Sequence, residues 1–268
     1  MSEKPEASIR VRVDPTNPGQ FFACCGLLEL ADRLWEGAEG WFEGGGFLIH
    51  LIDDSTFGTS TLNELLSTVA GVDLRQVDPN DDYSSPIHLP PPFDFKLDWW
   101  KDTRSGGDRL KVWAGSMRSV RIARAMQSVL LEPSLQNEAL FDSGMVVYDP
   151  LQKKKKVEPF YFDARRGASS RAIDIGFSPD SLQMTATAYP AVEFLCLVGL
   201  QRFRPLPTDR PRIFDYYTWT IPLAPLVAPS AACGLLTGVG DQIYRFENAF
   251  RTSQKKHKAF MPATRIRM

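Results

Sequence analysis

The residues with the most distinctive chemistry are Arg118, Arg121 and Arg124, spaced at steps of three within Leu110–Leu131. At helical pitch this spacing places three guanidinium groups along one side of a helix, while apolar residues gather on another side. Guanidinium groups bind phosphates through paired hydrogen bonds, so the segment predicts a basic amphipathic helix that contacts a nucleic-acid backbone. A solvated helix face is the alternative interpretation, because charged faces are common on surface helices.

Further basic residues occur in the predicted loops and in the tail. The run KKKK reads as a loop tip, and three arginines follow in a glycine- and serine-bearing loop flanked by aromatic residues, a combination that suits a nucleic-acid backbone. The formal net charge is -1, so any such contact depends on local patches rather than on a global field. The candidate nucleic-acid-binding residues are Lys111, Arg118, Arg121, Arg124, Lys153, Lys154, Lys155, Lys156, Arg165, Arg166, Arg171, Lys255 and Lys256.

A turn near the N-terminus offers a second kind of contact. Asn17 and Gln20 flank the start of a predicted helix, and amide side chains in a loop can read the edges of bases. We therefore assign these two residues to a motif-reading loop. The backbone N–H groups at the start of that helix could also receive a phosphate, although every helix start has such groups.

Carboxylates give the competing hypothesis of an enzyme. Asp94, Asp98 and Asp163 could hold a metal for a nuclease or another hydrolase. However, the chain has three widely separated histidines and lacks metal-ligand spacing and nucleophile motifs such as GxSxG. We therefore expect no catalysis, no metal and no cofactor. A pure assembly protein, whose basic patches meet acidic protein surfaces, is a third hypothesis.

The hydrophobic pattern predicts an α+β fold. Helices are expected at Gln20–Trp35, Ser60–Ala70 and Tyr189–Pro205, the first and last of them buried and almost wholly apolar. The four cysteines show no CxxC spacing, and neither a signal peptide nor a membrane-length apolar run is present, which predicts a cytoplasmic protein with reduced thiols. Strands are expected at Ser8–Asp14, Phe47–Ile52, Phe93–Trp100, Pro159–Asp163, Leu182–Ala188 and Asp215–Pro225.

The two apolar helices raise the hypothesis of a pseudo-repeat. Each follows a proline in a strand-helix-strand unit, and Cys24 and Cys196 both lie six residues after that proline. We therefore expect mixed sheets with two related α+β halves packed around the helices. The predicted organisation is an N-terminal α+β half (1–72), a polar and proline-rich excursion with a strand (73–109), the basic amphipathic helix (110–135) and a C-terminal α+β half with a basic tail (136–268).

Four motifs in this order resemble one protein family. Together they are similar to the short large-subunit-like (Cas-eight-type) proteins of subtype I-U, also called I-G, CRISPR-Cas systems. The resemblance covers most of the chain, and each motif would be weak alone. The motifs are DPTNPGQFFACCGLLELADRLW, FDFKLDWW leading into LKVWAGSMRSVRIARAM, PFYFDARRGASSRAIDIGFSPD, and YPAVEFLCLVGLQRFRP.

The resemblance implies a non-catalytic subunit of a crRNA-guided type I interference complex for antiviral defence. Its expected partners are crRNA, target double-stranded DNA, and the backbone and crRNA-processing subunits, with no membrane. In such complexes base pairing reads the sequence, while protein subunits recognise the protospacer-adjacent motif or stabilise the R-loop. Related large subunits also help recruit a helicase-nuclease, a task that this short chain either performs or leaves to another subunit.

Overall fold

A computed structural model describes residues 4–52, 61–81, 85–99, 118–169, 187–236, 238–250 and 258–267. Helices and several antiparallel sheets make up this part of the chain, so the predicted α+β class is confirmed. In these residues no helix is both long and apolar enough to cross a lipid bilayer. The helices are α1 (Pro18–Trp35), α2 (Thr61–Gly71), α3 (Ser119–Ser128), α4 (Pro190–Gly199) and α5 (Ala228–Ala232).

The strands form three sheets and one two-stranded ribbon, and the pairings between them are antiparallel. The first sheet has the order β1 (Ile9–Arg12), β3 (Gly46–Leu51), β2 (Ala38–Glu43). The second has the order β12 (Lys258–Phe260), β11 (Gly240–Phe250), β10 (Ile213–Trp219), β9 (Leu206–Pro207), with β13 (Thr264–Ile266) also on β11. The third joins β4 (Arg75–Gln76), β5 (Ile87–Leu89) and β6 (Phe95–Leu97), and the ribbon joins β7 (Tyr148–Asp149) and β8 (Gln152–Lys156).

Helix α1 lies at the centre of the core. Asn17 caps its N-terminus by accepting a hydrogen bond from the Gly19 N–H at 3.1 Å, and Pro18 occupies the first turn, where a missing N–H costs nothing. Every residue from the start of the helix to Ala31 is buried. A helix that is apolar around most of its circumference must be surrounded by protein, which agrees with the sequence prediction.

Helices α1 and α4 cross in direct backbone contact. A Cβ atom built on Gly26 would lie 2.0 Å from the carbonyl oxygen of Leu195, and one built on Gly199 would lie 2.0 Å from the carbonyl oxygen of Phe22. The contact is reciprocal, because each glycine meets the residue four positions before the other glycine. Both positions therefore require the absence of a side chain.

Polar contacts tie the two helices together at both ends. Near their N-termini, Asn17 and Glu193 both bond to the segment around Asp163, with Asn17 Nδ2 3.1 Å from Asp163 Oδ1. Near their C-termini, the buried Glu29 carboxylate pairs with Arg33 and with Arg202, each at 2.7 Å. Like ends lie together, so the helices run in the same direction.

The contact between the two helices fits the pseudo-repeat hypothesis, whereas the described sheets beside them do not. The reciprocal contact equates Gly26 with Gly199, one residue out of step with the pairing of Cys24 with Cys196. Helix α1 contacts β2 and β3 of the first sheet, whereas the strands after α4 belong to the second sheet. Ala188, just before α4, bridges to Met145. Common origin of the halves stays a prediction.

Several strands were not expected from the sequence, and β2 and β11 are the longest of them. The segment Ala38–Glu43 forms β2 and returns as β3 through Gly44 and Gly45, both at positive φ as a tight hairpin turn requires. The long strand β11 pairs with β10 and completes the second sheet. The predicted strand Phe93–Trp100 shortens to β6.

Two predictions in the middle of the chain were wrong. Lys153–Lys156, expected at a loop tip, lie in strand β8. Pro159–Asp163, expected to be a strand, is irregular, with Tyr161 at a positive φ of 66°, and leads into the 3-10 helix Ala164–Ser169. Phe160 and Phe162 alternate with Tyr161, yet all three side chains are buried, so the strand-like pattern arose from core packing.

The buried apolar residues form one continuous core. Ile87, Leu89 and Leu97, from the excursion assigned to residues 73–109, belong to it together with residues of α1 and α4. Trp219 links the first two sheets, because its indole N–H donates to the Gly40 carbonyl at 2.7 Å. The helices and strands that carry the candidate site therefore share this one core.

Candidate nucleic-acid interface

The arginines of α3 contact other parts of the protein. Arg121 pairs with the buried Asp149 carboxylate, with Nε 2.9 Å from Oδ2. The guanidinium of Arg124 donates to the Leu74 carbonyl and lies 3.4 Å from Asp73. Arg118 is half-buried at the N-cap position. The described part of the predicted helix is therefore embedded, and the guanidinium groups of Arg121 and Arg124 already have protein partners.

The lysine run lies on a ribbon that is open to solvent. Tyr148 of β7 pairs with Lys156 of β8, and Asp149 pairs with Gln152. All five residues of β8 are exposed, so this strand packs against the body on neither face. Because its lysines are exposed, the ribbon is the most accessible of the predicted basic groups in the described residues.

Asp149, which pairs with Gln152 beside the turn of the ribbon, anchors that end of the ribbon to α3. Its side chain is 3% exposed, and it accepts hydrogen bonds from Arg121 and from the Leu151 N–H at 2.9 Å. Burial alone would raise the pKa of Asp149, but these hydrogen bonds and the Arg121 charge outweigh burial and lower that pKa. Arg121 therefore positions the lysines and does not itself face a ligand.

Removing this anchor should loosen the ribbon. Asp149→Ala is expected to lower the free energy of unfolding by about 2 kcal/mol, because a buried charge-assisted pair is lost and Arg121 is left alone. Urea unfolding measures the loss, and amide exchange over residues 148–156 should accelerate. Arg12→Ala is the matched control, since its pair with Asp142 is more than half exposed and should contribute less than about 0.5 kcal/mol. Equal effects of the two changes would contradict the anchoring role.

The arginines of the predicted loop lie in the 3-10 helix. Arg165 donates to Asp163 at 2.7 Å and to the Phe141 carbonyl at 2.6 Å, and its guanidinium stacks 3.5 Å above the Tyr189 ring. Partial burial alone would lower the pKa of Arg165, but the hydrogen bonds to Asp163 and the charge of that carboxylate outweigh burial and raise the pKa. Arg166 is half-buried. Arg165 thus serves the junction between α1 and α4.

The residues assigned to motif reading are buried, contrary to the exposure that this role requires. The Asn17 side chain caps α1 and also accepts from the Ala164 N–H at 3.0 Å. The Gln20 side chain accepts from the Asp14 N–H at 2.7 Å. Both side chains hydrogen-bond within the protein, and each residue is 3% exposed. Lys111, Arg171, Lys255 and Lys256 lie outside the described residues.

The candidate carboxylates occupy different environments. Asp94 is exposed and 2.9 Å from His88, whereas Asp163 is fully buried and bonded to Arg165. Asp98 lies on the loop after β6, 4.0 Å from Lys96. Within the described ranges, no three His, Cys, Asp or Glu side chains are grouped so that they could hold a metal ion.

A second surface is apolar and was not predicted. The sequence has no charged residue or histidine from Tyr216 to Gly240. Ser230 gathers this segment, because its N–H donates to Val227 and its carbonyl accepts from Leu235. We call the exposed set the apolar surface. It consists of Ile221, Leu226, Val227 and Leu235, of which Leu226 is 81% and Leu235 is 75% exposed.

This surface has a signal in the sequence. A charge-free run of 25 residues is unusual in a chain with 24% charged residues, and this one contains seven leucine, isoleucine and valine residues. Without cations it offers nothing to a phosphate backbone. It therefore differs in kind from the lysine ribbon.

Comparison of the chain with protein families, with curated proteins and with solved structures found no match.

Proposed function

We propose that the protein is a non-catalytic, nucleic-acid-binding subunit of a crRNA-guided type I CRISPR effector complex that works in the cytoplasm. The resemblance of its four motifs to large-subunit-like proteins supports this role. The observation that carries the nucleic-acid contact is the exposed strand β8 with four consecutive lysines. Lysine binds phosphate as a point charge, so this strand contacts the backbone and leaves sequence reading to the guide RNA.

Two features divide the surface between nucleic acid and protein. The ribbon gathers positive charge in a chain whose net charge is near zero, so phosphate contacts depend on local patches such as this one. The apolar surface lacks charge, as the centre of a protein-protein interface commonly does. The proposed subunit therefore holds crRNA or target DNA on one side and the other effector subunits on another, where it helps recognise the protospacer-adjacent motif or stabilise the R-loop.

Purification from the native host tests this proposal. The tagged full-length chain, isolated at low salt from cells that express a CRISPR array, should carry other effector subunits and short RNAs of uniform length with a repeat-derived end. RNA sequencing and mass spectrometry identify both. A chain that carries neither, from cells in which the array is transcribed, would overturn the proposal.

The apolar surface favours a purely assembling role as a second candidate function. The double variant Leu226→Asp, Leu235→Asp should release the co-purifying subunits, because two buried carboxylates would have to be desolvated at the interface. Its free energy of unfolding should stay within about 0.5 kcal/mol of wild type, since both side chains are exposed in the chain itself.

Val77→Asp is the control for the apolar surface, because Val77 is also exposed and lies in another region. It should retain every subunit. If the double variant retains them too, the surface is not an assembly interface. If it loses the subunits but keeps RNA, protein contacts and nucleic-acid contacts are separable.

A further inference from the structure

The register of the ribbon pushes three lysines out of the ladder. Tyr148 of β7 pairs with Lys156, yet the next residue, Asp149, pairs with Gln152. One step along β7 therefore faces four steps along β8, and residues 153–155 bulge between the two pairs. Extra residues on one strand disrupt the ladder locally and bend that strand. We call residues 153–155, which are all lysines, the lysine bulge. Lys156 already has a partner within the protein and is not included.

The lysine bulge is held in place at both ends. On the side of the turn, Asp149 accepts a hydrogen bond from Arg121 of α3 at 2.9 Å. On the other side, the Val157 N–H donates to the Val147 carbonyl at 2.9 Å. The three lysines are exposed, and no ion pair to their side chains occurs within the described ranges. Three ammonium groups are thus available to a ligand within a short stretch of fixed backbone.

An exposed aromatic ring lies beside the lysine bulge. Tyr148 is 43% exposed and is the only aromatic residue among the exposed large hydrophobic side chains of the described part of the chain. Its position opposite Lys156 places it at the edge of the bulge. Leu151, in the turn of the same ribbon, is 78% exposed but has no ring. An exposed ring next to several cations is the combination that lets one site stack a base and hold the neighbouring phosphates.

This combination distinguishes single strands from duplexes. Within a duplex the faces of the bases are covered by their neighbours, so a protein ring reaches one only after unstacking it, at a cost in free energy. An unpaired strand exposes these faces, and every base has one, so stacking is tolerant of sequence. Lysine adds point charges for the phosphates and reads no base edge there.

We infer that Tyr148 and the lysine bulge form a binding site for single-stranded nucleic acid, in which the Tyr148 ring stacks on one base and the lysines contact the adjacent phosphates. The inference rests on the proposed function and narrows it, because it assigns this site to an unpaired strand. The pair between Arg121 and Asp149 fixes the ribbon against α3, so less conformational freedom is lost when the strand binds.

Binding to matched probes tests the inference with the purified full-length chain. Fluorescence anisotropy is measured at several salt concentrations on a single DNA strand, a single RNA strand and a DNA duplex of one sequence. The ring variants are Tyr148→Ala and Tyr148→Phe, and Leu151→Ala is their matched control on the same ribbon. The lysine variant replaces Lys153, Lys154 and Lys155 with Gln, and its charge control replaces the exposed Arg10, Arg204 and Arg210 with Gln.

Wild type should bind both single strands at least tenfold more tightly than the duplex. Tyr148→Ala should weaken single-strand binding about tenfold with an unchanged salt slope, because stacking releases no counterions. Tyr148→Phe keeps the ring, so it and Leu151→Ala should each lose less than threefold. The lysine variant should lower the salt slope by about 2, since each phosphate contact on a single strand contributes roughly 0.7. The charge control should change that slope by less than about 0.7.

Three results would overturn the inference. They are binding of the duplex as tightly as the single strands, equal losses from Tyr148→Ala and Leu151→Ala, and equal losses in the lysine variant and its charge control. Vesicles of phosphatidylserine and phosphatidylcholine serve as a further probe. Vesicle binding without single-strand binding would overturn the inference too, because the ribbon would then contact an anionic lipid surface.

These results differ from failure of the proposed function, which is the absence of RNA and effector subunits after purification from the host. Single-strand binding by a chain without those partners would retain the site at Tyr148 and reject the CRISPR assignment. Within the proposed complex, tighter binding of the RNA strand would assign the site to crRNA, and tighter binding of the DNA strand would assign it to the target.

Discussion

The Gly26→Ala variant is expected to lose about 3 to 5 kcal/mol of unfolding free energy, one of the largest single effects in this chain. A Cβ atom at this position would meet the Leu195 carbonyl oxygen at 2.0 Å, and that neighbour is backbone, so it cannot rotate away. Helices α1 and α4 would have to separate, which disturbs the packed interior along their whole contact. Urea unfolding of the purified protein measures the loss.

Gly71→Ala is the matched control, because an added Cβ there meets nothing within 4 Å at the end of α2. Alanine favours the helix over glycine, so this variant should be neutral or up to about 1 kcal/mol more stable. Gly199→Ala should resemble Gly26→Ala, and the double variant should lose less than the sum because both changes open one interface. A loss below 1 kcal/mol at Gly26 would contradict the close crossing.

The second large effect is a fall in stability as the pH rises from 5 to 8. Burial raises the pKa of Glu193 from its ordinary 4.5 to about 8, aided by the Asp163 carboxylate and opposed by backbone N–H donors such as that of Phe162. Between these two pKa values the native state holds a proton that the unfolded state has released. Stability contributed by this group is therefore present at low pH and is lost as the pH rises, by about 3.5 kcal/mol between pH 5 and pH 8.

Glu193→Gln tests the origin of this dependence. The amide cannot lose a proton, so the variant should lack the Glu193 contribution, and its stability deficit relative to wild type should shrink as the pH rises. Unfolding in urea at pH 5, 6, 7 and 8 gives both curves, and all other titrating groups are common to the pair. Parallel curves for wild type and variant would show that Glu193 does not change protonation over this range.

The central helices could be predicted because local sequence and environment agree. Both α1 and α4 are apolar over nearly their whole length, and each begins with a proline, so periodicity, capping and burial indicate the same element. The crossing itself was not predictable. Gly26 and Gly199 are ordinary helix glycines in sequence, and only the tertiary contact shows that no side chain fits.

The basic residues were harder to assign because long-range partners decide their role. Arg121 fits a phosphate-binding ladder by spacing alone, yet its partner is Asp149, a residue with no sequence signal of burial. The Asn17 side chain could read the edge of a base, but its Oδ1 atom caps α1. The sequence identified Lys153–Lys156 as a basic group but did not predict that these residues lie in a strand. Strand propensity is weak for lysine, so pairing with β7 overrides it.

The lysine ribbon as the nucleic-acid contact is the central claim, and protein–nucleic acid crosslinking tests it most directly. The complex purified from the host is irradiated, digested, and searched by mass spectrometry for peptides that carry a nucleotide. We expect adducts within residues 148–156, and their loss when Lys153, Lys154, Lys155 and Lys156 are replaced with Gln. Adducts confined to other regions, with the ribbon peptide recovered unmodified, would contradict the claim.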